Sequence, residues 1–141
     1  MKKVLLILFI CLSSCKKEDS SAIKIHRTLS LPTITVIIKG EPVEMIMDTG
    51  GAVTILDDDL AKELDILPTE ESIELRGYGG PKSIVLAEEV ELTIGETDLQ
   101  GDVHVSDIDN ITRTKQVRGI LGMPHLQNAV IDLKNNTITF E

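Results

Sequence analysis

A membrane span, a disulfide framework and a nucleic-acid surface all need something this chain lacks. The apolar run near its start, Val4 to Leu12, is nine residues long, well short of the roughly 20 that cross a bilayer as a helix. Only two cysteines occur, Cys11 and Cys15, both at the N-terminus, so no disulfide can tie the body of the chain together. At this length a domain buries enough surface without one. Basic residues are outnumbered, 14 Lys and Arg against 23 Asp and Glu, for a formal charge of −9. With no basic stripe to reverse it locally, such a surface repels phosphate backbones, so no nucleic acid is expected as a partner. His26, His104 and His125 show no HExxH or paired ligand spacing, and lone histidines in strands are mostly structural or solvated. "DIDN" from Asp107 begins like a calcium loop, but Thr112 stands where Gly is needed and Arg118 where the bidentate Glu is needed. "GYGG", Gly77 to Gly80, lacks the GxGxxG spacing and the following helix. No metal and no cofactor is expected, and the chain has no internal repeat.

The short apolar run has a different use. Preceded by Lys2 and Lys3, it fits the 7 to 15 residues or so of a signal-peptide core. The next residues, "LSSC" (Leu12 to Cys15), resemble the bacterial lipobox, whose cysteine is lipidated and becomes the first residue. Residues 1–14 are then a lipoprotein signal peptide, Cys15 the lipid attachment, residues 15–22 a flexible polar tether, and 23–141 a single domain. Cleavage removes two lysines and no acid, so the mature protein is more negative still. Its expected place is a bacterial cell envelope, lipid-anchored to a membrane, on the periplasmic side or the outer surface.

From Ile23 onward the apolar residues recur mostly at period two. "IKIHRTL", "TITVIIKG", "VEMIMD", "SIELRG", "KSIVLAEEVELTIG", "LQGDVHVSDI" and "AVIDLKNNTITFE" read as strands. Gly40 to Pro42 is expected to connect a hairpin, and Asn135-Asn136 a tight turn, because Asn tolerates positive φ. One helix is expected at "DDDLAKELDIL", with Leu60, Ala61, Leu64 and Leu67 on one face, Asp57 to Asp59 in its first turn and Pro68 stopping it. The triple Asp is therefore read as a helix start and not as a metal site. Many short strands with one helix predict an all-β barrel or sandwich.

One stretch breaks the alternation. In "MIMDTGGAVTIL" an apolar strand delivers Asp48 to a loop of Thr49, Gly50 and Gly51, and a second apolar stretch leaves it. Read alone, the tripeptide is also an ordinary β-turn with Asp first and Gly third. Its surroundings resemble the retropepsin-like aspartic proteases, whose single-motif subunits run from a strand into Asp-Thr-Gly, a small residue and a hydrophobic strand. "RGILGMPHLQNAVIDLKNNTITFE" is similar to the C-terminal signature of that family, with Ile120, Leu121 and Gly122 as its apolar-apolar-Gly element before a short helix and a final strand pair. "ELRGYGGPKSI" has the place of the flap hairpin, with Tyr78, Gly79 and Gly80 at its tip. Tyr78 reads equally as a cap over substrate and as an exposed hairpin aromatic.

The resemblance implies an all-β, retropepsin-like closed barrel with a flap hairpin and one or two short helices. It implies an aspartic endopeptidase acting on peptide or protein substrates as a homodimer, with Asp48 of each copy as the catalytic pair. Two such carboxylates about 3 Å apart cannot both ionise, so they share a proton and divide the roles of base and acid. By the same resemblance Thr49 bonds across to the opposite loop. The sequence departs from the family at Gly51, where Ala or Ser is usual, and so lacks a hydroxyl there. A catalytically silent peptide- or partner-binding module on the same fold is the alternative.

Overall fold

The computed structural model describes residues 21–77, 80–112 and 116–140. Cys15, the signal peptide, most of the tether, Tyr78 and Gly79 lie outside the described residues. The chain begins with two short strands, β1 (Ile23–Lys24) and β2 (His26–Thr28), on either side of the buried Ile25. The two go to different sheets. A hairpin of β3 (Leu31–Ile38) and β4 (Glu41–Asp48) follows, then β5 (Thr54–Asp57), helix α1 (Asp58–Glu63) and the long hairpin β6 (Pro68–Gly77) and β7 (Gly80–Ala87). After these come β8 (Leu92–Ile94), β9 (Thr97–Leu99), β10 (Val103–Ser106), the short helix α2 (Asp109–Thr112) and β11 (Gly119–Gly122). A 3₁₀ turn (Met123–His125) leads into β12 (Ala129–Asp132) and β13 (Thr137–Phe140).

The main sheet runs in the order β6-β7-β10-β5-β11-β4-β3-β8-β9, with β2 on β3, and it curls into a half-barrel. A smaller sheet, β1-β13-β12, joins the two ends of the domain. Period-two alternation sends Ile34, Val36 and Ile38 of β3 and Val43, Met45 and Met47 of β4 into the core, where Leu56, Val103 and Leu121 meet them. Each such side chain, fully removed from water, contributes about 1.5–3 kcal/mol. The central parallel pair β4 and β11 is covered on both faces, since Ile46 and its register partner Ile120 are also buried. This is why "MIM" and "IL" read as unbroken apolar runs and not as alternation.

Several elements differ from the sequence reading. The first hairpin turns at Lys39 and Gly40, both with positive φ, so Glu41 and Pro42 already belong to β4 and pair with Ile38 and Ile37. The helix is shorter than its apolar spacing suggests. It ends where Asp65 takes a φ of 50° and Ile66 N–H closes on the Ala61 carbonyl, 2.9 Å away. Ile66 therefore turns into the core while Leu67 is 62% exposed, and Pro68 opens a strand instead of stopping a helix. Asp58 and Asp59 do sit in its first turn and bond Lys62. Asp57 instead ends β5. The stretch from Lys82 to Gly95 is two strands, broken by a turn with Glu89 at φ 34°. The last hairpin turns as expected, with Asn136 at φ 53° and the Asp132 carboxylate accepting the N–H groups of Lys134 and Asn135.

Candidate active site

The strand order fixes the position of Asp48. Strands β4 and β5 are neighbours in sequence but not in the sheet, because β11 lies between them, parallel to β4 and antiparallel to β5. The loop Thr49 to Val53 must therefore arch over the end of β11. That end is Gly122, in register with Asp48, while Leu121 and Ile120 pair with Met47 and Ile46 and hold the strand from behind.

Within the loop the Gly50 N–H donates to Asp48 Oδ1 at 3.0 Å, and the Gly51 N–H donates to the Asp48 carbonyl at 3.1 Å. The Gly51 carbonyl accepts the Met123 N–H at 2.8 Å, tying the loop to the 3₁₀ turn. The Gly122 N–H donates to Thr54 Oγ1 at 2.9 Å. Thr54 Oγ1 also lies 2.8 Å from Nδ1 of His125. Thr54 and His125 are both buried.

The glycines are spatial requirements. A Cβ on Gly122 would come within 2.0 Å of the Val53 carbonyl oxygen and 3.1 Å of the Gly51 one. A Cβ on Gly51 would approach Asp48 Oδ2 to 3.1 Å, tight enough that the carboxylate would have to shift a few tenths of an ångström. Gly50 is looser, its nearest neighbour being Asp48 Oδ1 at 3.4 Å.

Asp48, Thr49 and Gly50 are all exposed. Two concavities of about 1160 and 460 Å³ lie elsewhere on the domain, and neither contains any of the three. The carboxylate is thus braced from below and open above. The β6–β7 hairpin, which the sequence reading takes as the flap, is paired from Ser72 and Val85 out to Gly77 and Gly80. Gly80 at its tip has a φ of 94°, a backbone angle suited to glycine.

Sequence reasoning brought out Asp48, its glycines and Gly122 but not Thr54 or His125. It also missed an ion triad at the far end of β5 and β11 from the loop. Arg118 Nη1 reaches Glu63 Oε2 at 3.0 Å and its Nε lies 3.5 Å from Asp57 Oδ2, while the Arg118 carbonyl accepts the Asp57 N–H. Burial pushes the Asp57 carboxyl up, against the lowering effects of the Ile108 backbone and of Arg118. Carboxylates of Asp57, Asp107 and Asp109 converge, as do those of Asp57, Asp58 and Asp59. Of these, Asp57 is engaged with Arg118, Asp58 and Asp59 with Lys62, and Asp107 with the Asp109 N–H.

A model of the aspartyl protease family matches residues 34–125, from β3 through Asp48 and Gly122 to the end of the 3₁₀ turn. The chain belongs to that family. No curated protein matches it. Its mostly β architecture, with a curled sheet and two short helices, is the retropepsin-like fold, and as an aspartic protease it belongs among hydrolases of peptides and proteins.

Proposed function

We propose that this aspartic protease is a homodimeric endopeptidase in which Asp48 of each copy forms one half of the catalytic pair. The observation that carries the reading is an exposed carboxylate on a glycine loop braced from beneath, in a chain with a single Asp-Thr-Gly and no second copy of it. A proton-sharing pair then needs a second chain, related by a twofold axis. One carboxylate takes a proton from a trapped water as its oxygen attacks the scissile carbonyl carbon. The protonated partner donates to the carbonyl oxygen. Collapse of the tetrahedral adduct returns a proton to the leaving nitrogen. The two apparent pKa values belong to the pair. Met123, 41% exposed beside the loop, and Val130, 52% exposed on edge strand β12, offer apolar surface for such a dimer to bury.

The test is an enzyme titration with a diverse peptide library. Specific activity of the unlipidated domain is expected to climb with enzyme concentration until the dimer saturates. It is also expected to rise with moderate salt, which screens repulsion between two acidic subunits. Full activity from a species that sediments as a monomer would overturn the shared site. Peptide binding without cleavage would favour the silent module, for which the missing hydroxyl at Gly51 is the supporting feature.

In this reading Cys15 carries the lipid and holds the domain at a bacterial envelope membrane, where confinement raises the effective concentration of subunits. Cys15→Ser is expected to move the protein from the membrane fraction to the soluble one. A wild type already soluble, or free of lipid by mass spectrometry, would reject the anchor.

A further inference from the structure

Among the described residues the peptidase chemistry leaves Asp57, His104 and His125 buried and without a use, and of these His125 is the one bonded to the support of the Asp48 loop. His125 is 4% exposed, sits at the end of the 3₁₀ turn, and lies within hydrogen-bond distance of the site at Thr54 Oγ1. That oxygen already accepts the Gly122 N–H. A hydroxyl has one proton to give, and among the described residues the acceptor it meets is Nδ1 of His125. Nδ1 is then the bare nitrogen, and the imidazole carries its proton on Nε2. This second nitrogen faces the backbone of Gly101, without full hydrogen-bond geometry. A Cβ at Gly101 would lie 3.1 Å from Nε2, so only a residue without one leaves the ring its place there.

Resting on the Asp48 peptidase reading, we infer that His125 is a positioning residue: its neutral imidazole aims the Thr54 hydroxyl, which in turn holds Gly122 and the arch of the Asp48 loop. Protonation at Nδ1 would set an N–H against an oxygen that already receives one. Thr54 would have to turn its own proton elsewhere, and the Gly122 bond would weaken. The protein resists that event. Burial holds His125 below the usual imidazole range, opposed by the Gly101 backbone and by Asp102, the charge that faces the ring from the β9–β10 loop. With the folded value below the unfolded one, the stabilisation is complete above about pH 6.5 and is lost as the pH falls through that value toward the native one. The site therefore has an acid limit of its own, distinct from titration of the carboxylate pair.

The experiment compares wild type, His125→Asn and His125→Phe in the full mature chain. Asn offers Thr54 an acceptor near the place of Nδ1 but does not titrate, and Phe fills the space with no acceptor. In ¹⁵N-resolved spectra the wild-type Gly122 amide is expected to shift in step with the His125 ring as the pH is lowered, and that step is expected to vanish in His125→Asn. On a peptide substrate His125→Phe is expected to lower kcat about tenfold with KM within about twofold, since misplacement of reacting groups acts on the chemical step. His125→Asn is expected to recover most of that loss and to move the acid limb of kcat to lower pH. A Gly122 amide indifferent to His125 titration, or an acid limb unmoved in His125→Asn, would overturn the inference. If wild type cleaves no peptide, the peptidase reading fails, and the amide titration still decides the coupling.

Discussion

Asp48→Asn is expected to give a folded protein that no longer hydrolyses peptides. The bond that Asp48 accepts from the Gly50 N–H enters at Oδ1, and an amide oxygen can accept it equally well, so the loop keeps its brace. The side chain is exposed, and exposed substitutions of this kind usually stay within about 0.5 kcal/mol, or roughly 2 °C in Tm for a domain of this size. Catalysis has no such substitute. An amide cannot take a proton from water at any working pH, so a symmetric dimer would carry two dead halves, and kcat is expected to fall by about 10⁴-fold, the upper range for a general acid–base group. Thermal unfolding and a peptide assay on the same sample check both halves of the statement. Retained hydrolysis would remove Asp48 from the mechanism, and a large drop in Tm would show that it serves the fold.

The second large effect concerns a residue with no chemistry. Gly122→Ala is expected to disrupt fold and site together. Its backbone, φ −87° and ψ 174°, is extended and open to any residue, so the requirement for glycine is purely one of space. The added methyl would sit 2.0 Å from the Val53 carbonyl oxygen, and that neighbour is main chain that cannot rotate aside. Overpacking of side chains costs about 1–3 kcal/mol. A clash against backbone belongs at or above the top of that range, which corresponds to a fall in Tm of at least about 10 °C. Relief requires the loop to lift from β11, which would also loosen the Gly122 to Thr54 bond. Activity is therefore expected to vanish even at temperatures where the variant remains folded. A variant within about 0.5 kcal/mol of wild type, inside the range of neutral surface changes, would show that the arch has slack.

The strands were legible because β3 and β4 expose one face of each residue pair to the core at period two, and the Asp48 loop because glycines interrupt that pattern between two apolar runs. Other features had no local signal. The helix was overextended because Leu67 continues a helical spacing, while the chain had already been turned at Asp65 by a left-handed angle that no glycine or asparagine announces. Thr54 and His125 stand 71 residues apart. A threonine in a strand and a histidine in a one-turn helix are each unremarkable until topology brings them into contact. Arg118 was singled out as the wrong residue for a calcium loop, and its actual partners, Asp57 and Glu63, lie in elements that precede it by 55 residues or more.

The insertion of β11 between β4 and β5 also dictates an order of events in folding. As the chain leaves the ribosome, β4 and β5 emerge with the Asp48 loop between them but with no partner to hold them side by side. Residues 58–118 must follow before β11 can enter the gap, and closing a loop of that length is an entropic cost met before its contacts form. Until then the carboxylate is present and its geometry is not. A nascent or truncated chain that ends before Gly119 thus carries every residue of the Asp-Thr-Gly motif and none of the support that β11 and the 3₁₀ turn give it, so the arrangement of the loop is deferred to the last stretch of synthesis.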